Sequence, residues 1–589
     1  MKNFFGRVFS TIIGNLLTFG VLTIILIGLI FVSALTSTGI SVKKGSVLEI
    51  SLEEPIMESE MDRTVSLFDM SDEPKVYLQE IIQSIENAQT DDNIEGISLK
   101  LDKFSGGATQ ATDIRHALEE FKKSGKFIYA YSNSGSQLSY YISSVADKIY
   151  QNPLGGTLIQ GLSSNIMFYK NAGDKFGIDF QVIRHGQFKS AVEPFMRTNM
   201  SEENRLQLSE LLTDVWGNIS NSVIKSRKLS VDQFNLVTDS LYAFIPELGK
   251  QNKIYDVLAQ ENEYDKMLFT KLNLKSQKSK TDFETLEKHT IKIDDYYQTL
   301  SEKSEGDKIA VLYASGNITE GNGFDGIQSQ TYVDAIRKIA ENDKIKALVI
   351  RVNSPGGSAN ASEQILYELM ELKTKMPIVV SFGDVAASGG YYIALASDKI
   401  YAQPNTITGS IGVFGMIPNA QKLFNNVGLD FDEVKTNANA GQLKSITTPL
   451  SSTAENTMKK SIVLIYNKFV NHVAKNRKMT FEQVNKIGEG RVWSGTRAKK
   501  IGLVDEFGSL NDAIDEAAKL AKIERYSTEN FPKRKESFEE LMDQLQGKNV
   551  EMRLSKELGT DGMKIYKDIK QLNEQKGVQL KMPFAIEIQ

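Results

Sequence analysis

The chain repeats itself, and the repeat narrows what it can fold into more than any other feature. Asp92-Asn93-Ile94-Glu95-Gly96-Ile97 resembles Asp343-Lys344-Ile345-Lys346-Ala347-Leu348, a shift of 251 residues. The same shift carries Tyr140-Tyr141-Ile142 onto Tyr391-Tyr392-Ile393, and Ala146-Asp147-Lys148-Ile149-Tyr150 onto Ser397-Asp398-Lys399-Ile400-Tyr401. Further on, Ser226-Arg227-Lys228-Leu229-Ser230 resembles Asn476-Arg477-Lys478-Met479-Thr480 at a shift of 250. A register held over so long a stretch means two homologous units in tandem. At 589 residues the chain is also too long for one core.

Each unit reads as alternating strands and helices. In the second, Ile309–Tyr313, Ala347–Val352, Pro377–Phe382 and Lys399–Ala402 are strand candidates, and Thr331–Asn342, Ser362–Lys373 and Ala386–Ala396 are helix candidates. That alternation predicts an α/β fold, a buried parallel sheet with helices packed outside it. The expected organisation is an amino-terminal segment 1–45, a first repeat 46–273, a connector 274–306, a second repeat 307–525 and a charged tail 526–589. The tail shows a helical pattern over Ser537–Gln546 and suggests no function.

The amino-terminal segment has no charge between Arg7 and Lys43, and Leu16–Leu35 is a continuous apolar run. About 20 such residues cross a bilayer, more than the roughly 7–15 of a signal-peptide core, so an uncleaved transmembrane helix is expected. Lys2 and Arg7 would keep the amino terminus cytoplasmic and place the bulk of the chain outside. A net charge of -5 gives no reason to expect nucleic acid, and the absence of cysteine removes thiol catalysis, zinc–thiolate sites and disulfides. No metal or cofactor is called for.

Two glycine-rich turns stand out. Ser388 lies in Ala386-Ala387-Ser388-Gly389-Gly390, between a buried strand and a helix, where free N–H groups and the helix dipole favour negative charge. Asn353-Ser354-Pro355-Gly356-Gly357 follows another strand, at the sheet edge where α/β proteins bind ligands. The N–H groups of Gly357 and Gly389 could hold an oxyanion. An N-cap serine and a tight turn without chemistry are the plain alternatives. Of the four histidines, His116, His185, His289 and His472, none has an aspartate partner at a recognisable position, so a Ser–His–Asp triad is unsupported. A neutral, desolvated lysine is the remaining kind of base.

The segments NSPGG, GDVAASGGYYIA and FKSAVEPF, with the anchor and the tandem repeat, resemble the long form of bacterial signal peptide peptidase A, over about residues 45–525. The resemblance implies two Clp protease/crotonase-like repeats and a Ser–Lys dyad, with Ser388 as nucleophile and Lys189, from the KSAVEP motif, as general base. It also implies cleavage of membrane-released signal peptides and other short apolar peptides, single-pass residence in the bacterial inner membrane, and a homo-oligomer, a tetramer for the two-repeat type.

The repeat tests that carry-over. The position equivalent to Ser388 in the first copy is Gln137, and that equivalent to Lys189 in the second is Ala440. Each copy has kept half a dyad, as a site shared between copies would leave it. Lys444 is a rival base, because Gly441-Gln442-Leu443-Lys444-Ser445 echoes Gly186-Gln187-Phe188-Lys189-Ser190 at a shift of 255. Two other functions remain open: a crotonase-like acyl-CoA enzyme, which an external location disfavours, and a catalytically silent membrane scaffold.

Overall fold

The computed structural model describes residues 20, 40–59, 77–276, 281–300, 306–533 and 578–582. The expected transmembrane helix and the expected helix at 537–546 lie outside these residues. Among the described residues no helix is long and apolar enough to cross a membrane.

The first repeat builds a six-stranded parallel sheet in the order Val257–Leu258, Lys148–Gln151, Phe127–Ser132, Ile94–Lys100, Ser46–Ile50, Thr290–Lys292. Both of its faces are covered. Leu48 and Ile50 join a core with Ile81, Ile114 and Leu118 from the flanking helices, while Val47 turns the other way toward Tyr150 and Tyr264. Period-two alternation with both faces apolar is what a buried parallel sheet demands. The stretch read as a connector holds helices Asp282–Glu287 and Ile293–Gln298, and its strand Thr290–Lys292 closes this sheet.

The second repeat repeats the plan in an eight-stranded sheet, running Val492–Ser494, Ile407–Gly409, Ile378–Ala387, Ile345–Ser354, Asp307–Ser315, Tyr526–Phe531. Lys399–Ala402 pairs with Ile378–Ala387 and with Glu506–Phe507. The last edge strand comes from the charged tail. Equivalence between the copies is close: helix Ala108–Lys122 corresponds to Ala359–Lys373, and the 26-residue helix Glu202–Arg227 to Ser452–Arg477. Both long helices are capped by a serine and end at a lysine in the left-handed region, Lys228 and Lys478.

A third sheet joins the copies. Its order is Ile327–Gln328, Ile318–Thr319, Gly356–Ser358, Val578–Lys581, Val413–Asn419, Asp179–His185. Asp179–His185 of the first repeat crosses over to pair antiparallel with Val413–Asn419 of the second, from Asp179–Asn419 to His185–Val413. The short strand Val578–Lys581 fills the gap between Gly356–Ser358 and Val413–Asn419.

A buried charge cluster also crosses the junction. The Arg351 guanidinium, fully buried, donates to both carboxylate oxygens of Glu58 at 2.9 and 3.2 Å, and lies 3.6 Å from Asp113. It also donates to Ser381 Oγ at 2.9 Å and to the Phe382 carbonyl at 3.0 Å, which ties it to the strand that leads into Ser388. On that strand Asp384 accepts from the Thr109 N–H at 2.8 Å and from its hydroxyl at 2.9 Å. Burial pushes the Asp113 carboxyl up to about 7, against the pull of Arg351, and it raises Asp384 as well. Two buried acids, Glu58 and Asp113, thus share one guanidinium, and its charge also reaches Asp384.

Candidate active site

The strand expected to stop at Phe382 runs on to Ala387, and the helix starts at Gly389 rather than Ala386. Pairing of Val385-Ala386-Ala387 with Ile407-Thr408-Gly409 holds the extension in the sheet. The chain must therefore reverse abruptly at Ser388, which takes φ 56° and ψ −112°, sterically costly for a residue with a Cβ. The turn is held from both sides: Ser388 N–H donates to the Gly409 carbonyl at 2.8 Å, and its own carbonyl accepts from Tyr392 N–H at 2.8 Å.

Lys189 reaches Ser388 from the other repeat. The crossed-over strand Asp179–His185 delivers the chain to a turn at Gly186, φ 104°, where a Cβ would strike the backbone of Glu489. Phe188 N–H then donates to the Glu489 carbonyl at 3.0 Å. Gly490, φ 83°, leaves the space that Lys189 fills; a Cβ there would lie 2.6 Å from Lys189 Cβ. The rest of the KSAVEP motif anchors this turn. Ser190 Oγ donates to Asn204 at 2.9 Å, and the buried Glu193 carboxylate accepts from Ser201 N–H and the Asn204 amide.

Lys189 and Ser388 are both fully buried, and Lys189 Nζ lies 2.9 Å from Ser388 Oγ. It also donates to Ser410 Oγ at 3.0 Å and to the Ser410 carbonyl at 3.2 Å. Burial holds the ammonium well below the usual lysine range, and among the described residues no carboxylate offsets it. Sequence reasoning did not single out Ser410. It sits in a Gly-Ser-Ile-Gly loop with no motif to mark it, and its φ of 51° is the one unusual sign.

The two glycine turns meet beside Ser388. Gly356 N–H is taken by Ser354 Oγ at 3.1 Å, and the turn's second glycine, Gly357, stands opposite Leu580 of the strand Val578–Lys581. A Cβ on Gly389 would lie 3.1 Å from both Gly356 Cα and Gly357 N, so the turns approach as closely as backbone permits. Lys444, in contrast, is exposed in a turn of the 437–445 loop. The histidines are engaged elsewhere: His116 with Glu120, His185 against the Tyr466 ring, His289 with the Thr285 carbonyl, and His472 near Glu363.

A serine hydroxyl on a strained turn, touching a desolvated amine and flanked by two glycine turns, is an arrangement suited to acyl transfer. Family comparison agrees. The model of Peptidase family S49 matches residues 120–275 and again 370–524, in register with the two repeats, and the Clp protease model matches residues 301–408. The chain belongs to peptidase family S49, with the family unit present twice, and it is a serine protease. Protease 4 of Salmonella typhi is 35% identical over 480 residues, covering 80% of this chain and 76% of that one. Protease 4 of Haemophilus influenzae is 35% identical over 455 residues, with 76% and 73% covered. The chloroplastic serine protease SPPA of Arabidopsis thaliana is 31% identical over 491 residues, with 82% and 70% covered.

Proposed function

We propose that this serine protease works through a Ser388–Lys189 dyad assembled across its two repeats. The observation that carries the reading is the 2.9 Å contact between Ser388 Oγ and a fully buried amine with no counter-charge. Neutral Lys189 takes the hydroxyl proton as Ser388 Oγ bonds to a peptide carbonyl carbon. The N–H groups of Gly357 and Gly389 receive the oxyanion. Lys189 then gives the proton to the leaving amine as the C–N bond breaks, and water hydrolyses the ester by the same route in reverse. Ser410 orients Nζ throughout.

The substrates we propose are short apolar peptides, cleaved signal peptides among them, met at an inner-membrane surface by a chain anchored through 16–35. Apolar side chains exposed on one loop, Val427, Leu429, Phe431, Val434, Leu443 and Ile446, fit a homo-oligomer, a tetramer in our reading. A fluorophosphonate probe tests the dyad. It should label Ser388 in the wild-type protein, label Lys189→Met far more slowly and leave Ser388→Ala unlabelled. Equal labelling of wild type and Lys189→Met would refute the lysine base.

A further inference from the structure

We infer that Arg491 is a positioning residue for the dyad: its side chain locks the turn that carries Lys189 onto the loop of the second repeat that receives it. The inference rests on the dyad reading and adds what keeps the amine in place. Lys189 comes from one repeat and its surroundings from the other, so its placement is only as exact as their docking.

The receiving loop, 488–491, is strained. Glu489 takes φ 50° and Gly490 φ 83°, and Ser410 beside them takes φ 51°. Such backbone persists only where its neighbours over-determine it. Gly490 N–H donates to the Ile411 carbonyl at 2.7 Å, and Arg491 N–H to the Gly488 carbonyl at 3.0 Å. Ser410 N–H in turn donates to the Arg491 carbonyl at 2.7 Å. The Arg491 main chain therefore sets the residue whose hydroxyl and carbonyl accept from Lys189 Nζ.

The Arg491 side chain reaches across the junction. Its guanidinium lies 4.9 Å from the ring centre of Phe188, the residue before Lys189, and 4.2 Å from that of Trp493. It thus sits between one ring from each repeat, and it donates to Glu210 on helix Glu202–Arg227. Its buried Nε has no hydrogen-bond partner among the described residues, so the two ring faces and Glu210 hold the group. Gln207, buried on the same helix, works alongside. It donates to the Phe188 carbonyl at 3.2 Å and to Ser190 Oγ at 2.8 Å, and accepts from Val492 N–H at 3.2 Å. The two side chains cross the junction at the residues on either side of Lys189.

Arg497 is the natural comparison. It crosses the same junction one helical turn along, 2.6 Å from Asp214, but its partners are Asp214 and Glu210 rather than the lysine turn. Around Lys189 itself, Arg184 donates to the Lys189 carbonyl at 3.0 Å and lies 3.5 Å from Glu193, while Glu489 acts on His185. Burial is what depresses Nζ, so a looser seat that admits water raises its proton affinity.

The rate of fluorophosphonate labelling of Ser388, followed from pH 5 to pH 10 with melting temperature measured in parallel, tests the role. Arg491→Met should label at least about tenfold more slowly than wild type at the plateau, and its acid limb should move up by about one pH unit. Arg497→Met should lower the melting temperature and leave the limb where it is. Arg491→Lys keeps the ion pair with Glu210 and loses the planar stack; it guards against a methionine variant that fails to fold, and its limb should move the same way by less. An unmoved limb in both Arg491 variants, or an equal move in Arg497→Met, would overturn the inference and leave the dyad standing. A wild-type profile with no acid limb would overturn the lysine base, and the positioning role with it.

Discussion

The two repeats contain the same turn in two states. In the second, the chain enters Ser388 with a strained backbone and the hydroxyl meets Lys189. In the first, Ser136 caps helix Gln137–Ser143 with an ordinary φ of −89°, its hydroxyl accepting from Ser139 N–H. Gln137, at the position of Ser388, is buried and folds its amide onto the backbone of 160–161: Oε1 accepts from the N–H groups of Gln160 and Gly161, and Nε2 donates to the Gly161 carbonyl. Of these two turns, only the one that ends at Ser388 carries backbone strain. The glycine turn diverges too. Gly106 and Gly107 stand 251 residues before Gly357 and Ser358, yet this turn faces the Asp384 carboxylate from the active copy, with no room for a Cβ at Gly107. A feature able to bind a reaction's anion has become a dock for the other repeat's aspartate, by the same physics of N–H groups at a helix start.

The contrast is most directly broken at Lys189, the half of the proposed dyad that the first copy kept. Lys189→Met should lower kcat/KM by about 10³-fold or more and raise the melting temperature by a few degrees, on the order expected from relieving a buried amine. The sign follows from proton binding. The unfolded lysine holds a proton that the folded one does not, so wild-type stability rises with pH toward the ordinary lysine value of about 10.4. Lys189→Met should flatten that rise, which pH-dependent denaturation would detect. Wild-type activity should fall as acid protonates Lys189; a flat acid limb in kcat/KM would remove the neutral-amine requirement.

Next in size is the junction charge. Arg351→Met leaves Glu58 and Asp113 without their guanidinium and should cost about 3–5 kcal/mol in denaturant unfolding near pH 8. The loss should shrink at pH 5, where Asp113, held at about 7 by burial, takes up a proton. A pH-independent loss would mean packing rather than charge dominates. Thr109→Val is the mildest break. It removes one of the two bonds to Asp384 and should cost about 1.5 kcal/mol, with slower probe labelling of Ser388 if the dock helps set the nucleophile strand.

Much of this was legible in the sequence, and the limit is physical. The repeat shift placed the strands and the nucleophile turn, since these depend on local pattern and short connections. Lys189 came by resemblance and by the missing partner in each copy, because no local signal distinguishes a buried lysine from a solvated one. The junction was not legible. Arg351 reads as a surface cation inside an apolar strand, Asp179–His185 gives no sign of changing sheets, and Val578–Lys581 is too short to declare its partners. Each is fixed by contacts hundreds of residues apart, which periodicity cannot record. Ala386-Ala387 misled because alanine suits a helix, whereas pairing with Thr408-Gly409 keeps them extended.

The crossing of Asp179–His185 into the other repeat has a consequence in time. Lys189 is synthesised 199 residues ahead of Ser388, a delay of about 10–40 s at ordinary rates of translation. On the dyad reading, the nascent chain during that interval holds a lysine with nothing to activate, and the pocket that would strip its charge is not yet made. The site closes only after Val413–Asn419 has paired with the waiting strand and Glu489-Gly490 has followed to seat Lys189. A chain halted before that point lacks the site that the dyad reading requires.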